Sequence, residues 1–132
     1  MKMKLTNKQI IEEIHPSLEK FSKMKLSGVL VEDIMLLARN LNRFKSYSQD
    51  VFTARDIIFT KYSEKGEDGK PIVKNGVFKM TDEYSAQIEM KELLEKTVEV
   101  EVEKIDSSIF DSVDGLSVEI VSGLMPILEE NG

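Results

Sequence analysis

Apolar residues recur along the chain with two different periods. From Leu30 the positions Leu30, Ile34, Leu37, Leu41, Phe44, Val51, Ile58 and Tyr62 follow a 4,3 spacing, with Ser48 and Arg55 as its polar members. That is a heptad-like seam, and it predicts a helix of about 35 residues, roughly 50 Å long. A second row of Val31, Ala38, Phe52 and Phe59 widens the apolar face beyond a two-stranded seam. One preceding helix cannot cover so much surface. The seam therefore implies contact with the C-terminal half or with another subunit, and Leu37, Leu41, Phe44, Val51, Phe52, Ile58 and Phe59 are the candidates for self-association.

Ahead of the seam, Thr6 and Gln9 have the spacing of a capping box and Leu5 can staple onto Ile10, which predicts a helix starting at Asn7. Ile10, Ile14, Leu18 and Phe21 form its buried stripe, and Pro16 predicts a kink near residues 14–16 or two short helices. Gly66, Gly69 and Pro71 end the long helix. Asn75-Gly76 then joins two short strands in residues 71–80, because this pair supplies the two positive φ angles of a type I′ hairpin turn.

Thr81 or Asp82 can cap a helix running to about Lys96, with Tyr84, Ile88 and Leu93 or Leu94 facing inward. From Thr97 to Ile105 the period changes to two: Val98, Val100 and Val102 share one strand face, and Glu99, Glu101 and Glu103 share the other. This strand is expected to add to the hairpin, since two isolated strands are marginal alone. A short helix capped by Ser117 and limited by Pro126 closes the chain, with Leu124, Ile127 and Leu128 to bury. The predicted fold is α+β: an N-terminal helical pair with one long helix, an antiparallel sheet of about three strands, and a docked C-terminal helix. Residues 1–132 form one domain, helical over 1–65, with hairpin, helix, acidic strand and final helix over 66–132.

Charge divides the chain in the same place. Residues 1–80 hold 15 Lys+Arg against 10 Asp+Glu, net +5, whereas residues 81–132 hold 3 against 14, net −11. Such asymmetry points to partners. The glutamate row with Asp106 is the candidate partner-binding surface, unless lysines such as Lys74 and Lys79 on a neighbouring strand answer it. Absence of cysteine excludes disulfides, zinc-thiolate sites, iron–sulfur clusters and thiol nucleophiles. The basic Met1–Leu5 start lacks the apolar core of a signal peptide, and no apolar run approaches the roughly 20 residues that span a bilayer.

Little in the chain carries chemistry. The only histidine, His15, stands in Glu12-x-x-His15, one copy of a motif that di-metal bundles need twice with two further carboxylates. It has no nucleophile-elbow serine to activate, and no phosphate-cradling glycine loop is present. Asp111 and Asp114-Gly115 lack the ligand spacing of a calcium loop. Arg39, Arg43, Lys45, Arg55 and Lys61 alternate with aromatic residues on the long helix, yet Asp33, Asp50 and Asp56 lie among them and the pI is near 4.9. Nucleic acid is therefore not the expected partner.

Four stretches carry a resemblance: Leu5–Ile10, residues 61–76 after the long helix, residues 92–100, and Leu116-Ser117 through Met125-Pro-Ile-Leu-Glu-Glu130. Their layout resembles small uncharacterised proteins encoded by phages and prophages of Gram-positive bacteria. The resemblance implies a phage source, and the cytoplasm of an infected cell or a virion as location; it transfers no catalytic residue. The expectation is a non-enzymatic protein–protein interaction factor without cofactor or membrane span. It would bind a host, defence or virion protein through the acidic face and self-associate through the long helix. The alternative is an acidic mimic of nucleic acid that inhibits a nucleic-acid-binding protein.

Overall fold

A computed structural model describes residues 1–129, so Glu130 of the resembling C-terminal stretch lies outside the described residues. The chain opens with β1 (Lys2–Thr6), which pairs antiparallel with β4 (Thr97–Glu101) in the register Lys2↔Glu101 to Thr6↔Thr97. The valine strand thus joins the N-terminus, and the expected pairing with the hairpin is corrected. Apolar matching explains the choice. Met3 lies opposite Val100 and Leu5 opposite Val98, which gives the two strands one continuous apolar face against the helices.

Thr6 ends β1 and caps α1 (Asn7–Gln9): Gln9 N donates to Thr6 Oγ1 at 3.0 Å, and Thr6 N donates to Gln9 Oε1 at 2.9 Å. The helix continues through a π-helical turn (Ile10–Ile14) into α2 (His15–Ser22), with Pro16 in the first turn of α2. The irregularity expected around Pro16 takes the form of this π-helical stretch, and the helical backbone runs on without interruption from Asn7 to Ser22. His15 N donates to Ile10 O across the wider turn, and this local rewinding accommodates the proline's missing donor and its ring.

The long helix α3 (Val31–Lys61) has 31 residues and buries Leu37, Asn40, Phe44, Ser48 and Val51, a narrower stripe than the seam suggests. Leu30 and Ile34, its first expected members, are exposed. Ile10, Ile14, Leu18 and Phe21 meet Leu37 and Phe44, Val100 and Val102 of the sheet, and the C-terminal residues Ile120, Leu124 and Ile127 in one core. Phe21 packs edge-on against Phe110, with ring centroids 5.6 Å apart.

Ser48 Oγ is buried and has no hydrogen-bond partner among the described residues. An unpaired buried hydroxyl is destabilising, and alanine is the better helix former. Ser48→Ala is therefore expected to raise stability by about 1 kcal/mol, read as a higher urea midpoint with unchanged slope.

Behind β4 come β5 (Ile105–Asp106), a 3₁₀ turn (Ser107–Ser112), α5 (Val118–Leu124), a second 3₁₀ turn (Met125–Ile127) and β6 (Leu128–Glu129). Ser117 caps α5, and Leu124, Ile127 and Leu128 are buried, as expected, whereas Val118 at the start of α5 is exposed. β6 pairs parallel with β5, Ile105 opposite Leu128. The fold is α+β, but among the described residues the strands form three two-stranded sheets rather than one sheet of three strands.

The remaining part is an arm. Core residues of α3 end at Tyr47, and roughly 20 Å of helix runs on beyond it. The arm comprises this helix end, the hairpin β2 (Val73–Lys74) and β3 (Val77–Phe78), and α4 (Glu83–Glu95). Asn75 and Gly76 have φ of 53° and 76°, as a type I′ turn requires. Lys65 Nζ donates to Ser63 Oγ, to Ser63 O and to Thr60 O, closing the end of α3.

Asp82 caps α4 by accepting from Ser85 N at 3.0 Å. Back at the body, Asn7 Nδ2 donates to Leu93 O at 2.8 Å and Asn7 N to Lys96 O at 2.9 Å. Tyr84 and Ile88, expected inside, are exposed, and the small Ala86 takes the buried position against α3. The arm has only one helix face to offer α4, so a single narrow contact line is covered.

Candidate interaction surfaces

The alternation in β4 orients its side chains as expected. Val100 and Val102 are buried, while Glu99 and Glu101 are exposed. The cations beside the glutamates are not Lys74 and Lys79, however; Lys79 Nζ pairs with Glu64 at 3.2 Å. Lys4 lies opposite Glu99 and Lys2 opposite Glu101 across the ladder, and the Met1 ammonium reaches Glu101 Oε1 at 2.7 Å. Glu103 Oε2 accepts from Arg39 Nε at 2.6 Å and lies 3.3 Å from Arg43 Nη1. Asp106 accepts from Ser108 N and caps the 3₁₀ turn. The basic and acidic parts of the chain thus meet within the fold, and Glu101 and Glu103 are engaged.

The hydrogen bond from Arg39 holds the Glu103 carboxyl below the usual carboxylate range, against a smaller opposing effect of desolvation. A depressed folded pKa adds stability above the unfolded value, which is lost as pH falls through the folded one. Glu103→Gln should therefore lower the urea midpoint at pH 7. The gap to the parent should begin to close as pH drops below about 4.3 and vanish once Glu103 is protonated in both states.

Among the described residues no three His, Asp or Glu side chains are grouped to hold a metal ion. His15 Nε2 lies 3.2 Å from Glu19 Oε1 on its own helix and makes no hydrogen bond among the described residues. Asp111 belongs to the 3₁₀ turn, and Gly115 supplies a positive φ of 77° in the turn after it. No helix among the described residues is long and apolar enough to cross a membrane.

The candidate self-association residues separate into three groups. Leu37, Phe44 and Val51 are buried inside the chain, beyond reach of a second copy unless the core opens. Leu41 is half-buried against the core. Ile58 and Phe59 are half-buried in the arm, whereas Phe52 is exposed with the Arg55 guanidinium 5.0 Å above its ring.

Phe59 leads to an open groove. It has a volume of about 460 Å³ and runs between α3, the hairpin and α4. Phe59, Val77, Phe78, Met80 and Ala86 give it apolar walls, with the Phe59 and Phe78 centroids 6.2 Å apart. Arg55 and Asp56 stand on the α3 wall, Glu83 and Gln87 on the α4 wall. The residues Phe52, Val73, Val77, Tyr84 and Ile88, all on the arm, are exposed. Spacing read helix by helix does not reveal this site, because its walls come from three elements. The excess of apolar residues on short, poorly covered segments is the signal that was present.

Comparison with known protein families, curated proteins and solved structures finds no match to this chain. The surfaces must therefore be read from their own chemistry.

Proposed function

We propose that this protein is a non-enzymatic protein–protein interaction factor whose docking face is the arm. The observation that carries the reading is the apolar groove lined by Phe59, Val77, Phe78 and Met80, together with exposed Phe52, Tyr84 and Ile88 elsewhere on the arm, a part of the chain that buries little of its own apolar surface. Concave apolar surface ringed by a few charged groups is what a protein segment fits. The resemblance in layout supports a phage or prophage source, with a host, defence or virion protein as the eventual target. Nucleic-acid mimicry needs a free acidic row, and the pairing of Glu103 with Arg39 and Arg43 favours the arm over that reading.

The test is capture on the immobilised chain, parent against Tyr84→Glu/Ile88→Glu, with folding monitored by circular dichroism. Both residues are exposed, so the variant should fold. Loss of proteins captured by the parent is the expected result, and an identical captured set would sink the proposal.

A further inference from the structure

We infer that the free edge of β1 is a second docking site, independent of the arm, which takes up an extended protein segment of alternating acidic and apolar residues as an added antiparallel strand.

The free edge follows from the register. Val102 N donates to Met1 O at 2.8 Å and Asn7 N to Lys96 O at 2.9 Å. Alternation along an antiparallel ladder then makes Met3–Val100 and Leu5–Val98 the hydrogen-bonded pairs, so Met3 and Leu5 turn their backbone groups toward β4. Those of Lys2, Lys4 and Thr6 point the other way. Thr6 N donates to Gln9 Oε1 inside the capping box. Lys2 and Lys4 are exposed, and among the described residues nothing accepts from their N–H groups or donates to their carbonyls.

The outer edge of β4 is treated differently. There Tyr47 Oη donates to Glu99 O at 3.1 Å, and the Asn40 side chain bonds both Glu103 N and Glu103 O. Helix α3 therefore covers one edge of this two-stranded sheet and leaves the other open. An open row of donors and acceptors is a template for a further strand.

β4 itself indicates the chemistry of the guest. It places Glu101 beside Lys2, Glu99 beside Lys4 and Val100 opposite Met3. A strand added on the open side meets the same three side chains. Lys2 and Lys4 lie on the solvent face and make no ion pair among the described residues, because the Met1 ammonium holds Glu101 at 2.7 Å. Between them Met3 is half-buried against the core. The favoured order in the guest is thus acidic, apolar, acidic. In this register each acidic residue exchanges a pair of backbone hydrogen bonds with its lysine. A second copy of β1 does not fit, since two-fold pairing of the edges about Met3 sets Lys2 of each copy against Lys4 of the other.

The probe is an end-capped peptide Thr-Val-Glu-Val-Glu-Val-Glu, the sequence of residues 97–103, titrated into the isotope-labelled full chain and followed by amide resonances. Those of Lys2 and Lys4 should shift and exchange more slowly with solvent, while those of the arm stay in place. Replacing the peptide glutamates with lysines should weaken binding by about tenfold or more. N-methylation of the peptide glutamates, whose amides face β1, should abolish binding; N-methylation of its valines, whose amides face away, should preserve it. Lys2→Gln/Lys4→Gln should remove the preference for the acidic peptide over the lysine one. The docking edge is overturned by no binding up to the peptide's solubility limit, by shifts centred elsewhere on the chain, by equal binding of the lysine peptide, or by equal effects of the two methylations. None of these outcomes touches the arm, which stands or falls with Tyr84→Glu/Ile88→Glu.

Discussion

Gly123→Ala is expected to destabilise the fold by about 3 kcal/mol, although alanine in an ordinary helix interior gains about 1 kcal/mol over glycine. Position 123 is in α5 where it crosses α2. A Cβ added there would lie 2.8 Å from the Glu13 carbonyl oxygen and 2.7 Å from Ser17 Cβ, and would collide with Ser17 Oγ. A backbone carbonyl cannot swing aside as a side chain can. Accommodating the methyl therefore moves α5 as a unit and loosens Leu124 and Ile127 from the core. Ser17→Gly in the same chain should recover part of the loss but not all of it, because the Glu13 carbonyl remains. Thermal and urea unfolding of the two single variants and the double variant would measure this coupling. Neutral or stabilised Gly123→Ala would mean that the two helices are not in contact as described.

Asn40→Ala should cost about 2 kcal/mol, and the loss should be felt in the sheet more than in the helix. Asn40 is fully buried in α3 and holds the backbone beyond β4 from both sides: its Nδ2 donates to Glu103 O at 2.7 Å, and its Oδ1 accepts from Glu103 N at 3.1 Å. Truncation leaves a backbone donor and a backbone acceptor without partners, the expensive way to lose a hydrogen bond. Arg39→Ala removes a contact to the same residue, but one shared with solvent, and should cost much less. Amide exchange supplies the second readout. In Asn40→Ala the amides near Val102 and Glu103 should lose protection while those around Phe44 keep theirs. Equal effects for the two variants would place the anchor in the ion pair instead.

The features legible in the sequence are those decided within a few residues. Thr6 with Gln9, Asn75 with Gly76, and Ser117 ahead of α5 each satisfy local backbone geometry, and all three form as expected. The valine–glutamate alternation likewise fixes which face of β4 is buried. What was not legible depends on residues distant in sequence. β1 has its own alternation of Lys2, Met3, Lys4 and Leu5, but only proximity to Val98 and Val100 makes it a strand.

Partner choice at the acidic row has the same origin. Arg39 and Arg43 answer Glu103 from 60 or more positions away, so counting charge by halves finds the asymmetry and misses its neutralisation. The arm misled the pattern in the opposite direction. Tyr84 and Ile88 look like core residues by spacing, yet no third element covers them, and that leftover surface is where the functional reading now stands.

The chain has no cysteine, which makes one substitution a direct probe of that surface. Gln87→Cys places a single thiol on the α4 wall of the groove, and Glu32→Cys places one on the exposed start of α3 as the control. Labelled with a bulky maleimide, Gln87→Cys is expected to lose the proteins that the unlabelled chain captures, whereas labelled Glu32→Cys keeps them. Unchanged capture by labelled Gln87→Cys, or an equal loss from the two labelled variants, would contradict the arm as the docking face.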